Sequence, residues 1–174
     1  MNKRFLVLTG ITLAAVAARL IPHSPNFSPI AAQALFAGAS FASKRAALLV
    51  PLMALVLSDL VLGFYPLAPV VYGSFALIAC LGLWLRHRQS VALIGSAALA
   101  SAVLFFVLTN FGVWALGGWY PRTWAGLAAC FAAAVPFFRN TLTSDLIYSA
   151  LLFGILALAQ KRWPALADTV PTAA

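Results

Sequence analysis

Residues 44–88 read KRAALLVPLMALVLSDLVLGFYPLAPVVYGSFALIACLGLWLRHR, a nearly unbroken apolar stretch with basic residues at each end. A membrane-spanning helix needs about 20 apolar residues, so the stretch has room for two helices joined near Gly63 and Pro66. Lys and Arg accumulate on the cytoplasmic side of membrane proteins. The stretch therefore predicts an out-and-back pair of helices whose two ends both lie in the cytoplasm.

The same pattern extends in both directions along the chain. The first two intervals between basic clusters are each about 40 residues long, and the third allows two crossings and roughly 30 residues of outer loop. We therefore predict an all-α, multi-pass protein of the cytoplasmic (inner) membrane, with six transmembrane helices and both termini in the cytoplasm. The four basic clusters are Lys3/Arg4, Lys44/Arg45, Arg86/Arg88 and Lys161/Arg162.

The expected helices belong to one domain, 1–174, and are bounded by prolines, glycines and basic residues. Helix 2 is short for a membrane span, which predicts that it packs against protein or dips into a thinned region of the bilayer. Gly and Pro signals after helix 5 predict an outer loop over 109–138, in which a short apolar piece ended by Pro136 forms a lid. The first 20 residues imitate a secretory signal, but we expect them to remain as helix 1. The predicted helices cover about 5–21, 29–43, 45–62, 69–84, 91–108 and 139–160.

Composition excludes several classes of protein. The chain is 64% hydrophobic and 8% charged, whereas soluble domains carry about 25% charged residues. Eight of the eleven basic residues belong to the four clusters, so topology explains the net charge and no nucleic-acid partner is expected. The chain contains no phosphate-binding loop or paired-His motif, so we expect no ATP site and no cofactor of its own.

Ionisable residues recur in the outward halves or ends of the predicted helices. Arg19, Asp59, Arg139 and Asp145 all fall there, and such residues in a membrane usually face a partner or a cavity. Asp59 could pair with Arg19 or with Arg139 to hold helices together. The same residues could instead surround a polar pocket that opens outward, and both interpretations can hold at once.

Two helices carry residues at intervals of four. In helix 4, Tyr72 and Cys80 are separated by two intervals of four residues and so share one stripe of the helix. Cys80 is about 12 Å deeper along it. A lone apolar Cys is usually a packed thiol, although a metal inside a ligand would need only one such donor. In helix 1, Gly10, Ala14 and Ala18 form a small-residue ridge that allows close helix approach. This ridge could serve internal packing or the docking of a partner.

Several segments together resemble the substrate-binding S components of energy-coupling-factor (ECF) vitamin transporters. The resemblance covers nearly the whole chain and is closest to the solitary cobalamin-specific group, BtuM. It implies a six-helix bundle with an outward-facing vitamin site and implies uptake of cobalamin (vitamin B12) or related corrinoids. The segments are Arg19–Ala32, Leu57–Leu60, Tyr72–Phe75, Leu108–Trp114 and Pro136–Thr141.

The resemblance also implies a role for Cys80. The resemblance to the cobalamin group implies that a cysteine on this helix is the axial ligand to cobalt. A thiolate is a soft donor suited to a transition metal. Cys80 is therefore predicted to bind the cobalt of cobalamin and to favour loss of cyanide from cyanocobalamin. This decyanation is the one catalytic activity that we expect.

The predicted contacts to the substrate are polar. Asp59, Tyr72 and Arg139 would bind the amides and phosphate of a corrinoid. His23 and Asn26, in the first outer loop, are weaker candidates for lid contacts.

The resemblance further implies a partner within the lipid bilayer. Ala14 and Ala18 would dock on the ECF coupling subunit, whose ATPases power uptake. Three other functions remain open: an S component for a different vitamin or a nucleobase precursor, a membrane assembly protein, and an enzyme with Cys80 as nucleophile.

Overall fold

The protein is a bundle of helices. A computed structural model describes residues 3–22 and 24–167, and these residues contain no β-strand. The predicted all-α class is therefore confirmed. The elements are α1 (Lys3–Arg19), α2 (Ile30–Ser40), α3 (Lys44–Leu62), α4 (Ala68–Leu85), α5 (Val91–Leu116), α6 (Trp124–Arg162) and a short 3₁₀ helix (Pro164–Leu166).

The helices differ in their ability to cross a membrane. Within the described ranges, α3, α4, α5 and α6 are long and apolar enough to do so. By contrast, α1 has 17 residues, including the charged Lys3, Arg4 and Arg19, and α2 has only 11. At 1.5 Å per residue α2 extends about 16 Å, roughly half of a 30 Å hydrocarbon core. The four long helices make this a membrane-spanning protein, whereas α2 is too short to cross unaided.

Helix α2 lies in the centre of the bundle. All eleven of its residues are buried, and it packs against each of the other five helices. A Cβ atom added to Gly38 would lie 2.1 Å from the backbone oxygen of Ala79, and one added to Gly82 would lie 2.2 Å from that of Leu35. The two backbones meet because neither glycine has a side chain. The prediction that a short helix 2 packs against protein is confirmed.

Two arginines hold the C-terminal end of α2, which lies at the end of the bundle that we call the inner end. Arg4 donates to the backbone oxygen of Ser40 at 3.0 Å and to that of Leu166, and Arg86 donates to that of Ala42 at 3.0 Å. The last carbonyls of a helix lack partners within the helix, and cationic side chains satisfy them well. Because Ser40 precedes the second basic cluster and Leu166 follows the fourth, these contacts bring all four clusters to one end of the bundle.

The predicted loop and lid over 109–138 are wrong. Helix α5 continues past Asn110, and α6 is one helix of 39 residues that includes Pro136. Only 117–123 connect them. The Asn110 amide donates to the backbone oxygen of Phe106, one turn earlier, at 2.7 Å. Gly, Asn and Pro end helices readily in water, but lipid cannot satisfy the backbone groups that a break would expose.

The first part of α6 packs along α5. The rings of Phe106 and Phe131 meet edge to face with centroids 5.4 Å apart, and the Cys130 thiol lies 3.5 Å from the backbone oxygen of Asn110. The Thr123 hydroxyl caps the start of α6 by accepting from the Gly126 amide at 3.1 Å. These contacts replace the separate lid that the sequence suggested.

The close approach of α2 and α4 predicts a difference between two glycines of α4. Gly82→Ala should lower the free energy of unfolding by about 1–3 kcal/mol, the usual cost of overpacking, because its Cβ would collide with the α2 backbone. Gly73→Ala is the matched control, since a Cβ there meets nothing within 4 Å. Denaturant unfolding of the purified protein in detergent measures both. Equal stability of the two variants would contradict this packing.

Candidate ligand-binding cavity

A cavity of about 430 Å³ lies at the end of the bundle away from the basic clusters. Asn26 and Ser28, from the α1–α2 connection, border it, as do Tyr65 and Leu67 from the α3–α4 connection. Both connections join helices whose opposite ends carry basic residues. Side chains of α4, α5 and α6 complete the walls.

The short length of α2 creates this space. Arg4 and Arg86 hold the inner end of α2, and the helix rises only about 16 Å from there. Its first residues, Ile30 and Ala31, border the cavity. The longer helices continue past this point, so the volume above α2 is left unfilled.

Arg19, Asp59 and Tyr72 form one polar cluster beside the cavity. An Arg19 Nη1 atom lies 2.7 Å from Asp59 Oδ1, and the Tyr72 hydroxyl donates to Asp59 Oδ2 at 2.7 Å. Arg19 also donates to the Ser58 hydroxyl. The Asp59 side chain is fully buried, and Arg19, at 15% exposed, borders the cavity. The expected pairing of Asp59 with Arg19 is therefore confirmed.

Three charged residues on different helices lie at one level. Arg19, Asp59 and Asp145 are each 15 or 16 residues from the basic cluster on their own helix, which is about 22–24 Å of helix. This level lies just beyond the N-terminal end of α2, on the side of the bundle away from the basic clusters. The three residues share a level because each helix runs about the same length from its basic cluster to that residue.

Aromatic rings supply much of the apolar wall. Phe75 and Phe105 stack with centroids 5.2 Å apart and an interplanar angle of 20°, and both border the cavity together with Phe106 and Phe137. Flat aromatic surfaces of this kind pack well against planar ligands. Small-molecule sites commonly combine such walls with a few polar groups.

Helix α6 contributes polar residues that the sequence-based site omitted. Thr141, Ser144 and Asp145 are buried and border the cavity. Asp145 belonged to the polar belt of the sequence, and its spacing of four from Thr141 places both on one face of the helix. That spacing was the available signal, but only the packing of α6 shows which face is turned inward.

The other predicted polar contacts have different locations. Asn26 borders the cavity and has a φ of 62°. Asp59 and Tyr72 contact each other and reach the cavity through Arg19. Arg139 is exposed and is absent from the described lining. His23 lies outside the described residues.

Cys80 is not brought together with these residues. It is exposed on α4, and it is not among the described residues that border the cavity. It lies about 12 Å along the helix from Tyr72 and about 9 Å from Arg86, which is near the inner end of the bundle. The described ranges also contain no cluster of three or more His, Cys, Asp or Glu that could hold a metal ion. Cobalt ligation by Cys80 therefore stays a prediction without a geometric basis.

Comparison with known families adds one assignment. A family model of unknown function, DUF6580, matches residues 1–166. The chain belongs to DUF6580. No curated protein and no solved structure matches it. The cavity is therefore the main basis for a functional proposal for this DUF6580 protein.

Part of the small-residue ridge of α1 is turned away from the other described helices. Gly10 and Ala14 are exposed, and Ala18 is half-buried. A Cβ atom added to Gly10 would meet nothing within 4 Å. Internal packing therefore does not use the Gly10–Ala14 part of the ridge in this DUF6580 protein, and its docking role stays a prediction.

Tyr65 offers a hydroxyl group to the cavity. It lies in the α3–α4 connection, outside the helices, and borders the cavity. Burial raises the pKa of Tyr65 above its usual value, and the negative charge of Asp59 raises it further, while Arg19 lowers it. The phenol therefore stays protonated at neutral pH and can donate a hydrogen bond.

The ion pair predicts non-additive effects on stability. Asp59→Leu or Arg19→Met alone should lower the free energy of unfolding by about 3–5 kcal/mol, because each leaves a buried charge unpaired. The double variant should lose less than the sum, because both charges are removed. Arg139→Met, at an exposed site, is the control and should change stability little. Denaturant unfolding in detergent provides the four values, and strict additivity would contradict the pairing.

Proposed function

We propose that this DUF6580 protein is a substrate-binding subunit that takes up an organic nutrient across the inner membrane. In this proposal α1 and α2 complete six crossings, and both termini lie in the cytoplasm. The positive-inside tendency supports this orientation, because the basic clusters share one end of the bundle. The cavity at the opposite end would then face the outside, where nutrient arrives.

The observation that carries the proposal is the composition of the cavity. It combines stacked aromatic walls with an Arg19–Asp59–Tyr72 cluster around a buried carboxylate, beside a 430 Å³ space. Buried charges at this depth are costly in a membrane and usually mark a substrate or ion site. A protein that only braced its helices would have no need of the adjoining cavity.

The first candidate ligand is a cobalamin-type corrinoid. The resemblance to the cobalamin-specific S components suggests it, and the rim of amides on a corrinoid could bind Arg19, Tyr65 and Asn26. Only part of so large a ligand would enter the cavity, because 430 Å³ equals roughly 14 water-sized groups. Recognition would then depend on these polar and aromatic side chains, because Cys80 lies well below the cavity.

The second candidate is a smaller vitamin or a nucleobase precursor. The cavity volume favours it, because 430 Å³ is near the lower end of the usual range of about 300–1,000 Å³ for small-molecule sites. The exposed position of Cys80 also favours it, since such a ligand needs no cobalt donor.

Uptake would use a partner within the bilayer. The exposed Gly10–Ala14 part of the α1 ridge supports docking on an ECF coupling subunit, because small residues allow a second helix to approach closely. ATPases bound to that subunit would supply the energy.

Co-purification tests the corrinoid proposal. Protein from cells fed cyanocobalamin should carry the visible absorption of a corrinoid. Tyr65→Phe should weaken binding about tenfold, the effect of one lost hydrogen bond of about 1.4 kcal/mol. Tyr120→Phe is the matched control, because Tyr120 does not border the cavity among the described residues. Colourless protein would reject the corrinoid, and mass spectrometry of any ligand retained would then test the second candidate.

The location of Cys80 predicts the outcome of a spectroscopic comparison. Cys80→Ala should leave the absorption spectrum and the cyanide content of bound cyanocobalamin unchanged, because the thiol lies about 12 Å from the level of Tyr72. Cys130→Ala, at a buried site, is the control for general loss of a thiol. A shifted spectrum with retained cyanide only in Cys80→Ala would establish thiolate ligation and overturn the cavity described here.

A further inference from the structure

Asp145 is a buried carboxyl group without a protein partner. Its side chain is 1% exposed, and neither oxygen has a hydrogen-bond partner in the part of the chain that the structure describes. The residue borders the cavity. Leaving a buried carboxyl group unbonded costs free energy, so the position needs a reason.

The hydroxyl groups nearest along α6 do not serve Asp145. Ser144 donates to the backbone oxygen of Thr141 at 2.9 Å, and Thr141 donates to that of Phe137 at 3.2 Å. Each hydroxyl has one proton to donate. The hydroxyl protons of Ser144 and Thr141 are therefore already used within the helix.

Arg19, the basic residue that borders the cavity, is also engaged with partners in the protein. Among the described residues that border the cavity, Arg19 and Asp145 are the only basic or acidic residues. Arg19 is paired with Asp59 at 2.7 Å and donates to Ser58. The positive charge of Arg19 is thus balanced inside the wall. The Asp145 carboxyl group, on a residue that borders the cavity, has no hydrogen-bond partner among the described residues.

We propose that Asp145 is the specificity residue of the cavity and that it binds a planar ligand group with two N–H donors. Two unbonded oxygens match two parallel N–H groups, as in a carboxylate paired with an amidinium or with an amino-substituted heterocycle that also carries a ring N–H. The inference rests on the proposed function and adds a substrate class to it: such donors are accepted, and free carboxylates are rejected.

The walls of the cavity fit the same class of ligand. Phe105, Phe106 and Phe137 border the space that Asp145 faces. Aromatic faces attract both planar rings and cations. A flat, nitrogen-rich group would therefore be held by its faces against the rings and by its N–H edge against the Asp145 oxygens. A free carboxylate would offer those oxygens no N–H donor.

Three small aromatic probes test the charge preference. Benzamidine, benzamide and benzoate share one ring and differ in the group presented to Asp145. For the wild-type protein in detergent, calorimetry should give an affinity for benzamidine at least tenfold higher than for benzoate, with benzamide between them. Benzoate affinity equal to or above that of benzamidine overturns the proposal, whatever any variant does.

Substitution then assigns the preference to one residue. Asp145→Asn keeps the shape but converts one oxygen into a donor, so it should lower benzamidine affinity at least tenfold. Thr143→Ala is the matched control on α6, because its exposed hydroxyl bonds only to the backbone oxygen of Arg139 among the described residues. Benzamidine affinity that is unchanged in folded Asp145→Asn would overturn the assignment, and if that variant does not fold, Asp145→Glu should retain the benzamidine preference.

The two proposals can fail separately. If the probes follow this order but cells gain no nutrient through the protein, the proposed uptake is wrong and the charge preference stands. If cells take up nutrient but the probes bind without regard to charge, only the role of Asp145 is wrong.

Discussion

The backbone contact between α2 and α4 is the constraint on which the rest of the structure depends. Because Gly38 and Gly82 have no side chains, a fully buried helix of eleven residues can occupy the centre of the bundle. Arg4 and Arg86 hold its inner end, where its last carbonyls need donors. A short helix fixed at one end leaves the opposite end of the bundle hollow, so the packing that forms the core also forms the cavity.

The charged residues lie mainly at two levels along the bundle. At the end that carries the basic clusters, Arg4 and Arg86 donate to backbone carbonyls at the end of α2. At the outer level, Arg19 and Asp59 neutralise each other, and Tyr72 completes the hydrogen bonding of the carboxylate. The low dielectric makes every unmatched charge costly there. Asp59 has an ion-pair partner and a hydrogen-bond donor, whereas neither oxygen of Asp145 has a partner among the described residues.

The sequence predicted more of the fold than of the site. Basic clusters, helix lengths and the polar level depend on hydrophobicity and spacing, which are local properties. The lid was predicted from Pro136 and Asn110 because these residues interrupt helices in water, but a membrane protein retains helical hydrogen bonding through them. The role of Cys80 stays a prediction, and its location differs from that of Tyr72. Residues eight apart on a helix differ by about 80° in direction, so Cys80 is turned to the exposed side while Tyr72 is half-buried.

By itself, the sequence determined that this is an all-helical membrane protein with its basic residues at one end and its polar residues near the other. It did so because the cost of placing charge in hydrocarbon depends on residue type and depth, both of which can be read along the chain. Only the tertiary structure decided that Arg19, not Arg139, pairs with Asp59, and that Asp145 faces a cavity. Those outcomes depend on how each helix is rotated against its neighbours, and rotation is fixed by close packing between segments far apart in sequence.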